Sequence, residues 1–135
     1  MSWRSGDQGR ISVMLAICLS GLLAVIGVAA DASGQVRTVM YADSVAAEAA
    51  RAAGQAIDVD HTAQTGEHRV DPLAAEQAAH AYLDAAGVTG QVSFNPDFTE
   101  ITVTAEAIYQ PRILSLFGLA ATTVTGSHTA ALVAD

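Results

Sequence analysis

Lysine does not occur in this chain of 135 residues, and all six basic residues are arginine (Arg4, Arg10, Arg37, Arg51, Arg69 and Arg112). Against 14 acidic residues they leave a net charge of −8. Scattered arginines in an acidic chain form no clustered positive face, which excludes nucleic acid as a partner. Cysteine is almost absent as well. Cys18 stands alone, ruling out an intramolecular disulfide and any cysteine-rich zinc site. Aromatic residues make up only 5% of the chain, so large rings cannot dominate its core. Half of the chain (51%) is apolar, but 28 residues are alanine, each of which buries little area. A chain this short builds one small domain and no more.

Charge is missing altogether from residues 11–30, ISVMLAICLSGLLAVIGVAA. As a helix those 20 residues rise ~30 Å, one bilayer hydrocarbon core. Arg4 and Arg10 flank the run on its N-terminal side, against a single Asp7. Residues 31–135 carry 13 acids and 4 arginines, a balance of −9. The expected topology is a single pass through the cell membrane, with residues 1–10 as a cytoplasmic lead and an extracytoplasmic C-terminal domain. A cleavable signal peptide is the rival reading, since Val28-Ala29-Ala30 and Ala30-Asp31-Ala32 offer small-residue cleavage sites. Its apolar region, however, spans only about 7–15 residues. A lipid anchor on Cys18 is excluded: Ile17 precedes the cysteine, and the apolar run continues beyond it. Cys18 is expected to behave as a small hydrophobe. Ala16, Ser20 and Ala24 recur every fourth residue and Gly27 continues the stripe. Small residues at this spacing let a second membrane helix approach closely.

Beyond the run, alanine-rich sequence favours helix as far as about residue 56. Val36, Val39, Met40, Ala46, Ala50, Ala53 and Ile57 mark its expected apolar stripe, with a Glu48–Arg51 pair on the surface. Residues 57–71 turn polar and aperiodic, a predicted loop. Asp71-Pro72 has the form of an N-cap followed by proline at the first helical position. The helix it opens runs to about Ala86, with Leu73, Gln77, Ala78, Ala81, Tyr82 and Ala85 as its expected stripe and Gly87 as its stop. The period then becomes two. Val92 and Phe94 begin it, Asn95-Pro96-Asp97 turns the chain, and Ile101, Val103, Ala105, Ala107 and Tyr109 alternate with polar neighbours. An apolar connector, ILSLFGL (113–119), leads to a Thr- and Val-rich last strand over 122–134. The expected fold class is α+β: a long N-terminal membrane-spanning helix (11–30) continuing outward (31–56), then a head (57–135) with a second helix packed on about three antiparallel strands. The long helix is expected to pack against that head.

Residues able to carry chemistry are few. Glu76, His80 and Asp84 share one helix face, but one imidazole without a partner loop makes a solvated charged face rather than a site. Asp58 and Asp60 start like a calcium loop, yet Ala63 and Arg69 occupy the positions that need glycine and glutamate. His61, His68 and His128 lack metal spacing. Ser44, Ser93, Ser115 and Ser127 lack an evident base. The expectation is a non-enzyme with no cofactor, no metal and no small-molecule substrate.

Three stretches together resemble a known family. GDQGRISVMLAICLSGLLAVIGVAADASGQVR joins a short charged lead to a charge-free span with an aspartate, Asp31, at its exit. ADSVAAEAARAAGQ (42–55) follows as an alanine-rich helix, and LFG (116–118) precedes a Thr/Val strand. This pattern resembles the TadE/TadG-like pilus-assembly proteins, pilin-like accessories of tight-adherence (Flp-type) pili and related secretion clusters. The resemblance implies a structural subunit whose membrane helix packs beside other pilin-like or secretion-apparatus subunits. Members cut by the prepilin peptidase carry glutamate at the fifth residue after the cleaved glycine. Here that position is Met14 after Gly9, or Ile11 after Gly6, so the likeness is to the uncleaved branch. The alternative function is a secreted small binding module, released by signal-peptide cleavage.

Overall fold

A computed structural model describes residues 5–131. The fold is α+β, and one helix belongs to both of its parts. Helix α1 (Ser5–Gly54) runs unbroken for 50 residues, ~75 Å. No proline interrupts it. Its N-terminal half packs on almost nothing: the most apolar stretch has a mean hydropathy of 2.6 and is 6% buried, long and apolar enough to cross a membrane. Its C-terminal half is the spine of the core, supplying Ala42, Val45, Ala46, Ala49, Ala50 and Ala53.

Three strands lie against that spine. β1 (Thr89–Phe94), β2 (Glu100–Tyr109) and β3 (Thr122–Ala131) form an antiparallel sheet in sequence order. β2 is central, with Gly90 opposite Ala105 on one side and Gly126 opposite Ala105 on the other. Its Ile101, Val103, Ala105 and Ala107 point to the core while Thr102, Thr104 and Glu106 point away, as the alternation predicts. α1 packs on β2 and β3, and α3 (Pro72–Ala85) fits between α1 and β1. Alanines on α1 let the helix and sheet come close. The closest approach is at Gly126, where a Cβ would meet the backbone of Ala42 and Asp43. Asp43 also accepts a hydrogen bond from the Ser127 N–H at 3.2 Å.

α3 starts where predicted: the Asp71 carboxylate accepts from the Leu73 and Ala74 N–H groups, Pro72 follows, and Gly87 takes a φ of +71° just past the end. Its buried face differs from the expected one. Ala75, Ala79 and Leu83 are buried, whereas Leu73 is exposed and Tyr82 turns outward. Six of its 14 residues are alanine, so the apolar pattern gives several near-equivalent stripes and tertiary packing selects among them. The same holds on α1, where Val36 and Met40 are exposed and Ala42, Val45 and Ala49 take their place. Within the predicted loop lies a short helix, α2 (Val59–Thr65), capped by Asp58 and closed by Gly66 at φ +76°. It buries nothing, which is why it leaves no periodic signal. A single bridge, Ile57 to Val70, ties the base of this segment together.

Candidate functional site

The strand direction decides what lies next to the apolar half of α1. Gly126, which faces Ala42, pairs with Ala105 in β2. Tyr109, four residues further along β2, lies on Gly34, eight residues back along α1. Four strand residues rise ~13 Å and eight helix residues ~12 Å, so β2 descends alongside α1. The β2–β3 connector therefore reaches the charge-free run.

There it meets Asp31, the one buried charged residue among those described, only 3% exposed. Asp31 Oδ1 accepts from the Arg112 N–H at 2.8 Å and from the Tyr109 hydroxyl at 3.1 Å. Oδ2 accepts from Leu114 N–H at 2.7 Å and from Ile113 N–H at 3.0 Å. The carboxylate thereby caps the 3-10 turn Leu114–Phe117, whose first N–H groups have no partner within the turn. Two glycines on the same face make room for the clamp. At Gly34 a Cβ would lie 2.6 Å from the Tyr109 Oη, and at Gly27 it would lie 2.5 Å from Ile113 Cγ2. Gly27, Asp31 and Gly34 thus form one docking strip at helical spacing. Burial pushes the Asp31 carboxyl up, but the hydrogen bonds from Leu114, Arg112, Tyr109 and Ile113 outweigh it and hold the group below the ordinary 3.8. Tyr109 moves the other way, raised by burial and by its bond to the Asp31 carboxylate.

The proposed helix-packing face divides here. Ala16, Ser20 and Ala24 lie exposed on the bare half of α1, with the Ser20 hydroxyl donating to the Ala16 carbonyl at 2.8 Å. Gly27 is buried under Ile113 and serves the chain's own connector. Cys18 is exposed on the same bare half.

Elsewhere, side chains that could carry chemistry hold structure. Asp58 caps α2 through the His61 N–H and takes the Arg69 guanidinium on one oxygen at 3.0 and 3.1 Å. The His61 N–H first, then Arg69, hold its carboxyl below the usual value. His80 lies 3.9 Å from Glu76 on the surface of α3. Hydroxyls of Ser44, Ser93 and Ser115 donate to backbone carbonyls. Among the described residues no group of three or more His, Cys, Asp or Glu is placed to hold a metal ion. Glu48 and Arg51 pair at 2.8 Å, as their spacing predicts.

The structural role of Asp31 has little trace in the sequence. Its position at the end of the uncharged run is visible, and so are the glycines before and after it. Its partners are 78–83 residues away and carry no motif. Compared with family models, curated proteins and solved structures, the chain gives no significant match.

Proposed function

We propose that the chain is a membrane-anchored, pilin-like accessory protein of a tight-adherence-type pilus or a related secretion apparatus, acting structurally through helix packing. One observation carries this reading. A single unbroken helix is both the bare apolar rod and the core of a small head. An apolar surface that encircles a helix for this length needs lipid or other helices around it. Tying it rigidly to a folded head suits a subunit that positions its head relative to the membrane. The exposed Ala16, Ser20 and Ala24 supply a surface of small residues for neighbouring helices. The partners in this reading are the membrane and other pilin-like or secretion subunits.

The secreted-module reading places the cut near residues 28–32. A cut after Ala30 would separate Gly27 from Asp31 and one after Ala32 would remove both, so either opens the docking strip against which Ile113 and Tyr109 pack. Retention of α1 keeps the strip whole, and this favours the anchored form. Fractionation decides between them. Intact chain in the membrane fraction, co-purifying with a secretion ATPase and polytopic membrane partners after mild crosslinking, is the expected result. Soluble chain starting near Asp31 or Ser33 overturns it.

A further inference from the structure

The connector that Asp31 captures is apolar on its outer side. Leu116 is 80% exposed, Phe117 74% and Leu119 54%, all within one short turn and the residues just after it. Isolated exposed apolar residues are ordinary on a protein surface, but a contiguous group in a turn is not. The height at which the turn begins is fixed by the contacts above. Ile113 covers Gly27, three residues inside the end of the charge-free run, which on a helix is ~5 Å below that end. An element lying in the boundary between headgroups and acyl chains sits ~5–10 Å deep. The two depths agree.

Charge is arranged to match. Residues 31–135 are net acidic, with only 4 arginines. Two of those, Arg37 and Arg112, are exposed on the rim of the hollow formed by Asp31, Gly34 and Tyr109, on the head side of the apolar turn. Arginines at this level can reach lipid phosphates while their stems lie on apolar surface. The Asp31 carboxylate, the one acid in that hollow, is turned inward to the N–H groups of the connector.

We propose that the β2–β3 connector is a second membrane contact: Leu116, Phe117 and Leu119 enter the outer-leaflet boundary beside α1, and Arg112 and Arg37 meet its phosphates. The occupant of the apolar turn is lipid, because the turn continues the lipid-facing surface of the helix to which it is clamped. This rests on the anchored reading above. Two points of contact, one along the helix and one beside it, fix the tilt of the head against the membrane plane and the side it turns to the bilayer, both of which a lone helix leaves free.

The test uses the full chain with its natural tryptophan removed (Trp3→Phe) and one new tryptophan at a time. It is reconstituted in vesicles of phosphatidylcholine and phosphatidylglycerol brominated both near the top and near the end of the acyl chains, so that every depth of the hydrocarbon is sampled. Leu19→Trp reports the helix, Phe117→Trp the connector and Val59→Trp the far side of the head. Each site is exposed, so the core stays intact in every variant. The expected result is blue-shifted emission and loss of most intensity to bromine at Leu19→Trp and Phe117→Trp, with water-like, unquenched emission at Val59→Trp. Quenching at Leu19→Trp with water-like emission at Phe117→Trp overturns the inference and leaves the anchored reading standing. Blue-shifted but unquenched emission at Phe117→Trp also overturns it, by showing that protein covers the turn. No quenching at Leu19→Trp overturns both.

Discussion

Asp31 and Gly126 hold two of the places where α1 meets the rest of the chain, and each does so by a different kind of force. At Asp31 the force is hydrogen bonding to a charge, so its loss should be selective. Asp31→Asn keeps the volume but turns an amide NH2 towards N–H donors, leaving part of the Arg112–Leu114 backbone without an acceptor. Amide exchange at Ile113 and Leu114 should accelerate, while Val103 in the centre of β2 stays protected. Acid should act on the same bonds. Because the folded carboxyl titrates below the ordinary 3.8, its contribution is complete above that pH and is lost as pH falls through the lower folded value. The connector should therefore loosen below about pH 4, seen as the same faster exchange, and equal acceleration across the whole sheet would contradict a local clamp.

At Gly126 the force is simple contact. A Cβ there meets helix backbone, which cannot swing aside as a side chain can. Gly126→Ala should cost about 1–3 kcal/mol, near the top of that range, by pushing α1 off β3. Gly54 has open space around it at the end of α1. Gly54→Ala should therefore be neutral or stabilise by about 0.4–1 kcal/mol, through the unfolded chain. Denaturation of both variants in the same detergent gives the comparison. A Gly126→Ala protein as stable as the parent would mean that helix and strand are not in contact there.

Elements differed in how much of them the sequence disclosed. β2 was legible residue by residue, since Ile101, Val103, Ala105 and Ala107 alternate with threonine and glutamate. α3 was legible at its ends, because Asp71, Pro72 and Gly87 act through local backbone chemistry. Its buried face was not, since alanine on nearly every side makes the faces chemically alike and only the sheet selects one. α2 carried both its caps, Asp58 and Gly66, in plain view. It buries no apolar face, so no periodicity marks it. The clamp at Asp31 was legible least of all, being a property of the folded contact between α1 and the β2–β3 connector.

On α1 one residue of the expected packing stripe is covered by the chain itself. Gly27 shares the spacing of Ala16, Ser20 and Ala24 but serves the connector, so the free small-residue surface ends at Ala24. The two parts should respond separately. Ser20→Leu with Ala24→Leu should weaken association with partner helices without disturbing the head. Leu15→Ile with Leu22→Ile, off that surface, should change association little. Crosslinking yield in membranes reads the association, and exchange at Ile113 reads the head. Equal effects from both pairs, or none from either, would reduce this half of α1 to an anchor alone.

For the whole molecule the decisive quantity is the distribution of charge about the uncharged run. Two arginines, Arg4 and Arg10, precede it within ten residues, whereas the following residues carry a net −9. Positive charge near a span is held on the cytoplasmic side, and acidic residues oppose translocation little. The anchored reading therefore puts the head outside the cytoplasm. The unbroken helix through Asp31 means the head cannot turn independently of the rod that carries it. A phosphatase that folds only outside the cytoplasm, fused after Asp135, should be active, and a reporter that fluoresces only in the cytoplasm should be dark at the same site. Replacing Arg4 and Arg10 with glutamate removes the asymmetry and should shift part of the population to the opposite signals. If the phosphatase fusion is inactive and the cytoplasmic reporter bright in the parent chain, the orientation is reversed. The acidic head then lies inside, and a part in an extracytoplasmic assembly is lost with it.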